Sequence, residues 1–116
     1  MTQSVLRWPE PADVLAAARA WSERMASDHP GLERVGVFGS YGRGTAGVGS
    51  DLDLLLIDAA ASGPQAERLR GLPLAELPLS CDALVFTPQE HNSLLAGNTR
   101  MASELARDTR WLWRRD

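Results

Sequence analysis

The sequence predicts an α/β domain, and three observations carry that reading. Apolar, β-leaning runs at 34–38, 51–57 and 80–86 are set off by glycine, proline and serine. Between and around them lie stretches whose apolar residues recur at helical spacing. The 116 residues, 44% of them hydrophobic, suit one domain spanning 1–116. A chain of this size buries roughly 60% of its unfolded surface or slightly more, enough for a core without disulfides.

Taken in order, residues 1–8 read as a lead-in, with Trp8 placed to tuck against the first helix. Pro9 and Pro11 mark a helix start, where proline is tolerated in the first turn. Val14, Ala17, Ala18, Trp21 and Met25 then keep helical spacing from Ala12 to about Ser27, and His29-Pro30-Gly31 ends the run. Arg34 to Phe38 is the first strand. Ser40 to about Thr45 fits a short helix, with Ser40 at its cap and Arg43 on the same helical face. Asp51 to Ile57 is the second strand, apolar enough for burial on both faces. Pro64 to Leu72 fits a short helix, and 73–79 reads as irregular. Ser80 to Phe86 is the third strand. Thr87-Pro88-Gln89-Glu90 offers a capping threonine, a proline at the first position and a glutamate three after the cap, so a helix opens there. It breaks at Gly97-Asn98 and resumes from Thr99 to about Arg107. Residues 110–114, with Trp111 and Trp113, fit a terminal edge strand.

Composition narrows the function. Net charge is −3, so nothing marks a protein built to grip nucleic acid strongly. All twelve basic residues are arginine. Any phosphate contact from a basic side chain is therefore a planar guanidinium fork, never an ammonium point charge. Cys81 is the sole cysteine, so no internal disulfide can form, which fits a reducing cytoplasm. The start has no signal-peptide pattern, and no apolar run is long enough to span a bilayer.

The chemistry concentrates in Gly39 to Asp53. A β-run ends at Gly39-Ser40, a glycine-rich connector holding Arg43 follows, and Ser50 leads into Asp51-Leu52-Asp53. On an extended strand Asp51 and Asp53 would share a face, their Cα atoms roughly 6.5–7 Å apart. Two adjacent carboxylates repel unless a cation lies between them or one takes a proton. A hard divalent ion such as Mg²⁺ resolves the repulsion. The plain alternative is a solvated turn before a strand. Asp82 lies within an apolar strand, so it is either at an exposed strand entrance or paired or metal-bound. Ser40 and Gly39 offer a close backbone approach and a hydroxyl to phosphate, or only a helix cap. Arg43 reads as a phosphate contact or a surface arginine. Tyr41 could stack on a base or stand exposed. His29 and His91 show no metal spacing and read as surface residues. Gly42 to Gly47 matches G-x-G-x-x-G, but the next strand follows too soon for a dinucleotide-binding helix.

The combination Gly39-Ser40, Arg43-Gly44 and Ser50-Asp51-Leu52-Asp53-Leu54 resembles the nucleotidyltransferase superfamily that shares the DNA polymerase β palm. It is most similar to the minimal nucleotidyltransferases, small proteins often paired with a HEPN-domain toxin. The resemblance implies a mixed β-sheet with helices packed on one face and the acidic site on the other. It implies metal binding and catalysis by Asp51, Asp53 and Asp82, and nucleotide binding by Gly39, Ser40, Arg43 and Ser50. Two Mg²⁺ ions and ATP, or another nucleoside triphosphate, would serve transfer of a nucleoside monophosphate to a hydroxyl acceptor. The implied acceptor is a HEPN-domain protein, neutralised by a cytoplasmic antitoxin, with a homo-oligomer allowed. Two other classes stay open: a non-catalytic binding module, and an enzyme that nucleotidylates a small molecule such as an antibiotic. Larger relatives carry a second domain that shapes the acceptor site, and none is expected within these 116 residues. The connector Gly47-Val48-Gly49 also lacks the charged residues many relatives place there.

Overall fold

Pro11 opens the first helix, α1 (Pro11–Asp28), in a computed structural model that describes residues 8–116. The rest of the expected lead-in, residues 1–7, lies outside the described residues. Trp8 is 39% exposed, so it is not buried against α1 as its sequence context implies. The apolar stripe of α1 sinks Val14, Ala18, Trp21 and Met25 into the core. The Trp21 indole N–H donates to the Pro73 carbonyl at 3.1 Å, which satisfies the one polar atom of a fully buried ring.

Four strands follow: β1 (Leu32–Phe38), β2 (Leu52–Asp58), β3 (Cys81–Phe86) and β4 (Arg110–Arg114). They form one mixed sheet in the order β3-β2-β1-β4. β1 runs antiparallel to β2 and to β4, while β2 and β3 are parallel. The parallel pair needs a crossover, supplied by α3 (Gln65–Leu69) and a 3₁₀ turn at Leu74–Glu76 in the stretch expected to be irregular. The edge strand expected at 110–114 is present. Its register against β1 slips between Trp111 and Trp113, leaving Leu112 as an extra residue.

Side chains alternate across a strand, so the sheet buries two sets. Val35, Val37, Leu52, Leu54, Leu56, Ala83 and Val85 pack with α1 on one face. Leu55, Ile57, Leu84 and Phe86 pack on the other with Leu94 and Leu105. Those two leucines belong to α4 (Pro88–Leu95) and α5 (Arg100–Asp108). The α/β mixed sheet is as expected, and the acidic residues do lie on the face opposite α1. That second face is nevertheless shared: α4 and α5 cover its far end, and the aspartates occupy the end left open.

Local chemistry sets the last helices. The Thr87 hydroxyl accepts from the Glu90 N–H at 3.1 Å, and the Glu90 carboxylate accepts from the Thr87 N–H at 2.9 Å, a reciprocal cap. The helix stops at the predicted break, and the Thr99 hydroxyl caps α5 by accepting from the Ala102 N–H at 3.1 Å. His91 departs from the sequence reading. It is buried, 4% exposed, rather than on the surface. Its ring stands edge-on to Trp111 with centroids 5.8 Å apart, and Nδ1 lies 3.5 Å from the Arg34 guanidinium. The cause is tertiary: α4 lies over the sheet, and β4 brings Trp111 from twenty residues further along the chain. Burial first, and the Arg34 charge second, hold the His91 imidazolium less favourable than usual, so its pKa is lowered.

Candidate active site

β1 delivers the chain to Gly39, which turns it into α2 (Gly39–Arg43) with φ +61°, a conformation glycine adopts without strain. The helix begins one residue earlier than predicted. Phe38 is therefore its N-cap, and Ser40 sits inside the first turn rather than at the cap. Gly44, left-handed at φ 77°, ends α2 after a single turn, two residues short of the expected Thr45 end. Gly39 has a second constraint. A Cβ there would collide with Asp53 Oδ2, so the Asp53 carboxylate lies directly against the backbone that opens α2.

Asp53 is the second residue of β2 and pairs with Phe38 on one side and Asp82 on the other. Parallel neighbours in register put their Cα atoms about 4.8 Å apart with side chains on the same face. The two carboxylates therefore stand beside each other at the open end of the sheet. β2 begins at Leu52, so Asp51 precedes the strand instead of starting it, and it is exposed at the rim. It remains close enough to act on Asp53. The Asp53 carboxyl is pushed up, first by burial, then by the charges of Asp82 and Asp51, with Arg43 pulling it back. Cys81, one residue before Asp82, feels the same charges. Burial, then Asp53 and Asp82, push its thiol up to about 12.

The remaining predicted residues frame this group. The Ser50 hydroxyl accepts from the Gly47 N–H at 3.0 Å, and the Ser50 N–H donates to the Gly47 carbonyl at 3.0 Å. Ser50 thus closes the turn that delivers Asp51. The Arg43 guanidinium donates to Asp108 Oδ2 at 3.2 Å while 47% of its side chain stays exposed. One of its five donors is spent and others remain. Asp108 is buried, 4% exposed, at the end of α5, and Arg107 also holds it at 2.9 Å. Its pKa is lowered, chiefly by Arg107, against burial, with help from Arg43. Sequence reading missed Asp108, because an acid in the last turn of an exposed helix carries no local mark of burial. Tyr41 is neither a base-stacking platform nor exposed. It is 2% exposed, packed into the α1 face of the core, and its hydroxyl has no partner among the described residues.

The donor set suits a hard divalent cation: three carboxylates, two of them adjacent, with a mutual repulsion that a cation would relieve. As they stand, no three His, Cys, Asp or Glu side chains among the described residues are drawn together closely enough to grip one ion. The pair Asp53 and Asp82 is assembled, and Asp51 waits at the rim.

Comparison with known proteins identifies a family and a shared fold. Residues 19–107 match the family described as the nucleotidyltransferase domain. No curated protein matches the chain. Among solved structures, a candidate nucleotidyltransferase from Sulfolobus solfataricus is similar over 90% of this chain and 84% of its own, at 23% identity and a TM-score of 0.66. A chain of a toxin–antitoxin complex with AMP-PNP is similar over 84% of this chain and 73% of its own, at 21% identity and a TM-score of 0.57. A variant of the toxin–antitoxin MntA–HpeT gives 17% identity, the same coverage and a TM-score of 0.54. At these identities the solved structures establish a shared fold. The family match spans α1 from Arg19, the Gly39-Ser40 turn, all three aspartates and α5 to Arg107, and on that span the chain belongs to the nucleotidyltransferase domain family.

Proposed function

We propose that the chain, acting as a single domain, moves AMP from ATP to a hydroxyl on a partner protein, the hydroxyl oxygen bonding to the α-phosphorus as its bond to the departing pyrophosphate breaks, and that this partner is a HEPN-type toxin it neutralises. The observation that carries the proposal is the in-register pair Asp53 and Asp82 lying against the Gly39-Ser40 turn. The similarity in fold to chains from toxin–antitoxin complexes, one of them with AMP-PNP, supports the nucleotide and the kind of partner. Asp51, Asp53 and Asp82 would hold magnesium, which when bound neutralises triphosphate charge and makes an acceptor hydroxyl more acidic. The other roles belong to the chain. Gly39 lets phosphate approach the backbone and Ser40 adds a hydroxyl donor. Arg43, anchored by Asp108, turns its free N–H groups toward the triphosphate. Asp82, exposed beside Asp53, takes the proton of the acceptor hydroxyl. Positioning and fixed charge supply most of the rate.

The test incubates the chain with α-labelled ATP, Mg²⁺ and a HEPN protein encoded beside it. Label on the HEPN protein, lost in Asp53→Asn and in Asp82→Asn, supports the proposal. One observation favours a second reading, a binder that masks its partner without chemistry: the three aspartates do not stand as a closed ligand set. Full neutralisation of the toxin by Asp53→Asn, with no label transferred by wild type either, would establish the binder and end the enzyme proposal.

A further inference from the structure

The end of α5 holds more positive charge than its fold requires. The Asp108 side chain is only 3% exposed, yet two arginines reach it. Arg107 grips it with one edge of its guanidinium, Nε donating to Oδ1 at 2.9 Å and Nη2 to Oδ2 at 3.2 Å. Arg43 Nη1 donates to the same Oδ2 at 3.2 Å. One bidentate arginine already balances a buried carboxylate. The second leaves a positive charge over. Both side chains stay open to solvent, Arg43 at 47% and Arg107 at 64%. Of the five N–H donors on each, Arg43 spends one and Arg107 two, and among the described residues the others have no partner.

Nearby acids do not cancel the surplus. The charge of Glu104 reaches Arg107, but Glu104 is itself paired with Arg100 at 3.4 Å. Two guanidiniums held at one oxygen repel each other, and an anion set against both relieves that, as a cation would between Asp53 and Asp82. The pair also has a definite place. Arg43 ends α2, the turn that Gly39 and Ser40 open. Gly42, lacking a Cβ, lets the Asp108 carbonyl press against the same turn, so the end of α5 is docked on α2. The charges acting on Asp53 include Arg43 and not Arg107, which puts Arg107 further from the aspartates. A triphosphate with its α-phosphate at the aspartates would run along α2 and present its terminal phosphate to the two arginines.

We propose that Arg107 joins Arg43 in a two-arginine clamp for the terminal phosphate of a nucleoside triphosphate, with Asp108 setting the two guanidiniums side by side, and that this clamp makes the site prefer a triphosphate to a diphosphate. The proposal rests on the nucleotide site proposed above and adds Arg107 to it as a residue that selects the donor. Asp108 is a positioning residue, because it meets the phosphate only through the arginines.

The test is calorimetric titration of the full chain in Mg²⁺ with α,β-methylene-ATP, whose α–β link cannot be cleaved, and with ADP. Wild type should prefer the triphosphate by about tenfold or more. Arg107→Gln should lose most of that preference by weakening the triphosphate, while its ADP affinity moves by less than about twofold, the ADP arm serving as the control for folding. Arg107→Lys keeps a charge beside Asp108 without the planar fork, so the preference should stay reduced. An equal loss for both nucleotides in Arg107→Gln would make the residue merely structural and overturn the proposal. So would a wild type without the preference, or a preference that neither variant changes. The labelling assay separates this outcome from the transfer reaction. A chain that transfers label with a preference indifferent to Arg107 ends the clamp alone. A preference that depends on Arg107, in a chain that transfers no label, keeps the clamp and ends the transfer.

Discussion

Replacing Asp53 by asparagine should raise stability and abolish activity together. The asparagine keeps the size of the side chain and removes its charge. In wild type the Asp53 carboxylate faces Asp82 in register and feels Asp51 nearby. With carboxylates roughly 5–6 Å apart, one pair repels by about 0.8 kcal/mol in water and about 3 kcal/mol at an effective dielectric near 20. Asp53 is only half-buried and Asp82 is exposed, so the lower end applies, and Arg43 offsets part of it. A gain of about 1 kcal/mol follows, or about 4–5 °C in Tm for a domain of this size. The pH dependence has a definite sign. The Asp53 pKa is raised above its ordinary 3.8, so its ionised form costs stability above the folded value. As pH falls through that value toward 3.8, wild type recovers and the advantage of the variant closes. Thermal melts in chelator at several pH values measure this. Millimolar Mg²⁺ should then raise the wild-type Tm and move the variant less, while nucleotidyl transfer falls by about a hundredfold or more. A variant that melts below wild type in chelator at neutral pH would refute the reasoning, since Asp53 would then be held by its surroundings rather than strained by them.

Other outcomes follow from the same contacts. Gly39→Ala places a Cβ against Asp53 Oδ2 at a positive φ, so it should cost about 1–2 kcal/mol and depress transfer, read by melts and labelling. Glu90→Gln loses the bidentate pairing with Arg68 and weakens the cap. Wild-type Glu90 has its pKa lowered from 4.5 to about 2, chiefly by Arg68, so its contribution is present above 4.5 and fades as pH falls toward 2. The acid limb of the stability profile should flatten in the variant. The Cys81 thiol, pushed up to about 12, should resist iodoacetamide at pH 8, and Asp53→Asn should speed its alkylation by removing one of the charges that suppress the thiolate. An equal rate in wild type and variant would show that the Asp53 charge does not act on the thiol.

What the sequence revealed, and what it hid, divides by the range of the interaction. The Thr87–Glu90 cap lies within four residues and was legible. So were the strands, because Leu54 to Ile57 carry enough apolar surface to demand burial on both faces. Boundaries moved by a residue or two: α2 opens at Gly39, beside Asp53, which puts Ser40 inside the first turn. His91, Asp108 and Tyr41 were misread or left open because their surroundings come from distant elements, namely Trp111 on β4, Arg43 on α2 and the α1 face of the core. The site followed the same rule. The aspartates were found as residues, but only the parallel register of β2 with β3 shows that Asp53 and Asp82 are neighbours.

The segment Gly39-Ser40-Tyr41-Gly42-Arg43 carries more structural duty than a phosphate-binding turn requires. A Cβ at Gly39 would strike the Asp53 carboxylate, and a Cβ at Gly42 would strike the Asp108 carbonyl. Both glycines are therefore fixed by packing, one toward β2 and one toward the end of α5. Between them Tyr41 is sunk in the core, and Arg43 returns to Asp108 through its side chain. One helical turn is thereby riveted at four of its five residues, which leaves it little freedom to shift. A nucleotide arriving at Gly39 would meet a surface whose position is already settled, so ordering the protein would cost little of the binding free energy there. Loosening the turn at Tyr41, Gly42 or Asp108 should therefore weaken nucleotide binding from a distance, without touching a residue that meets the phosphate.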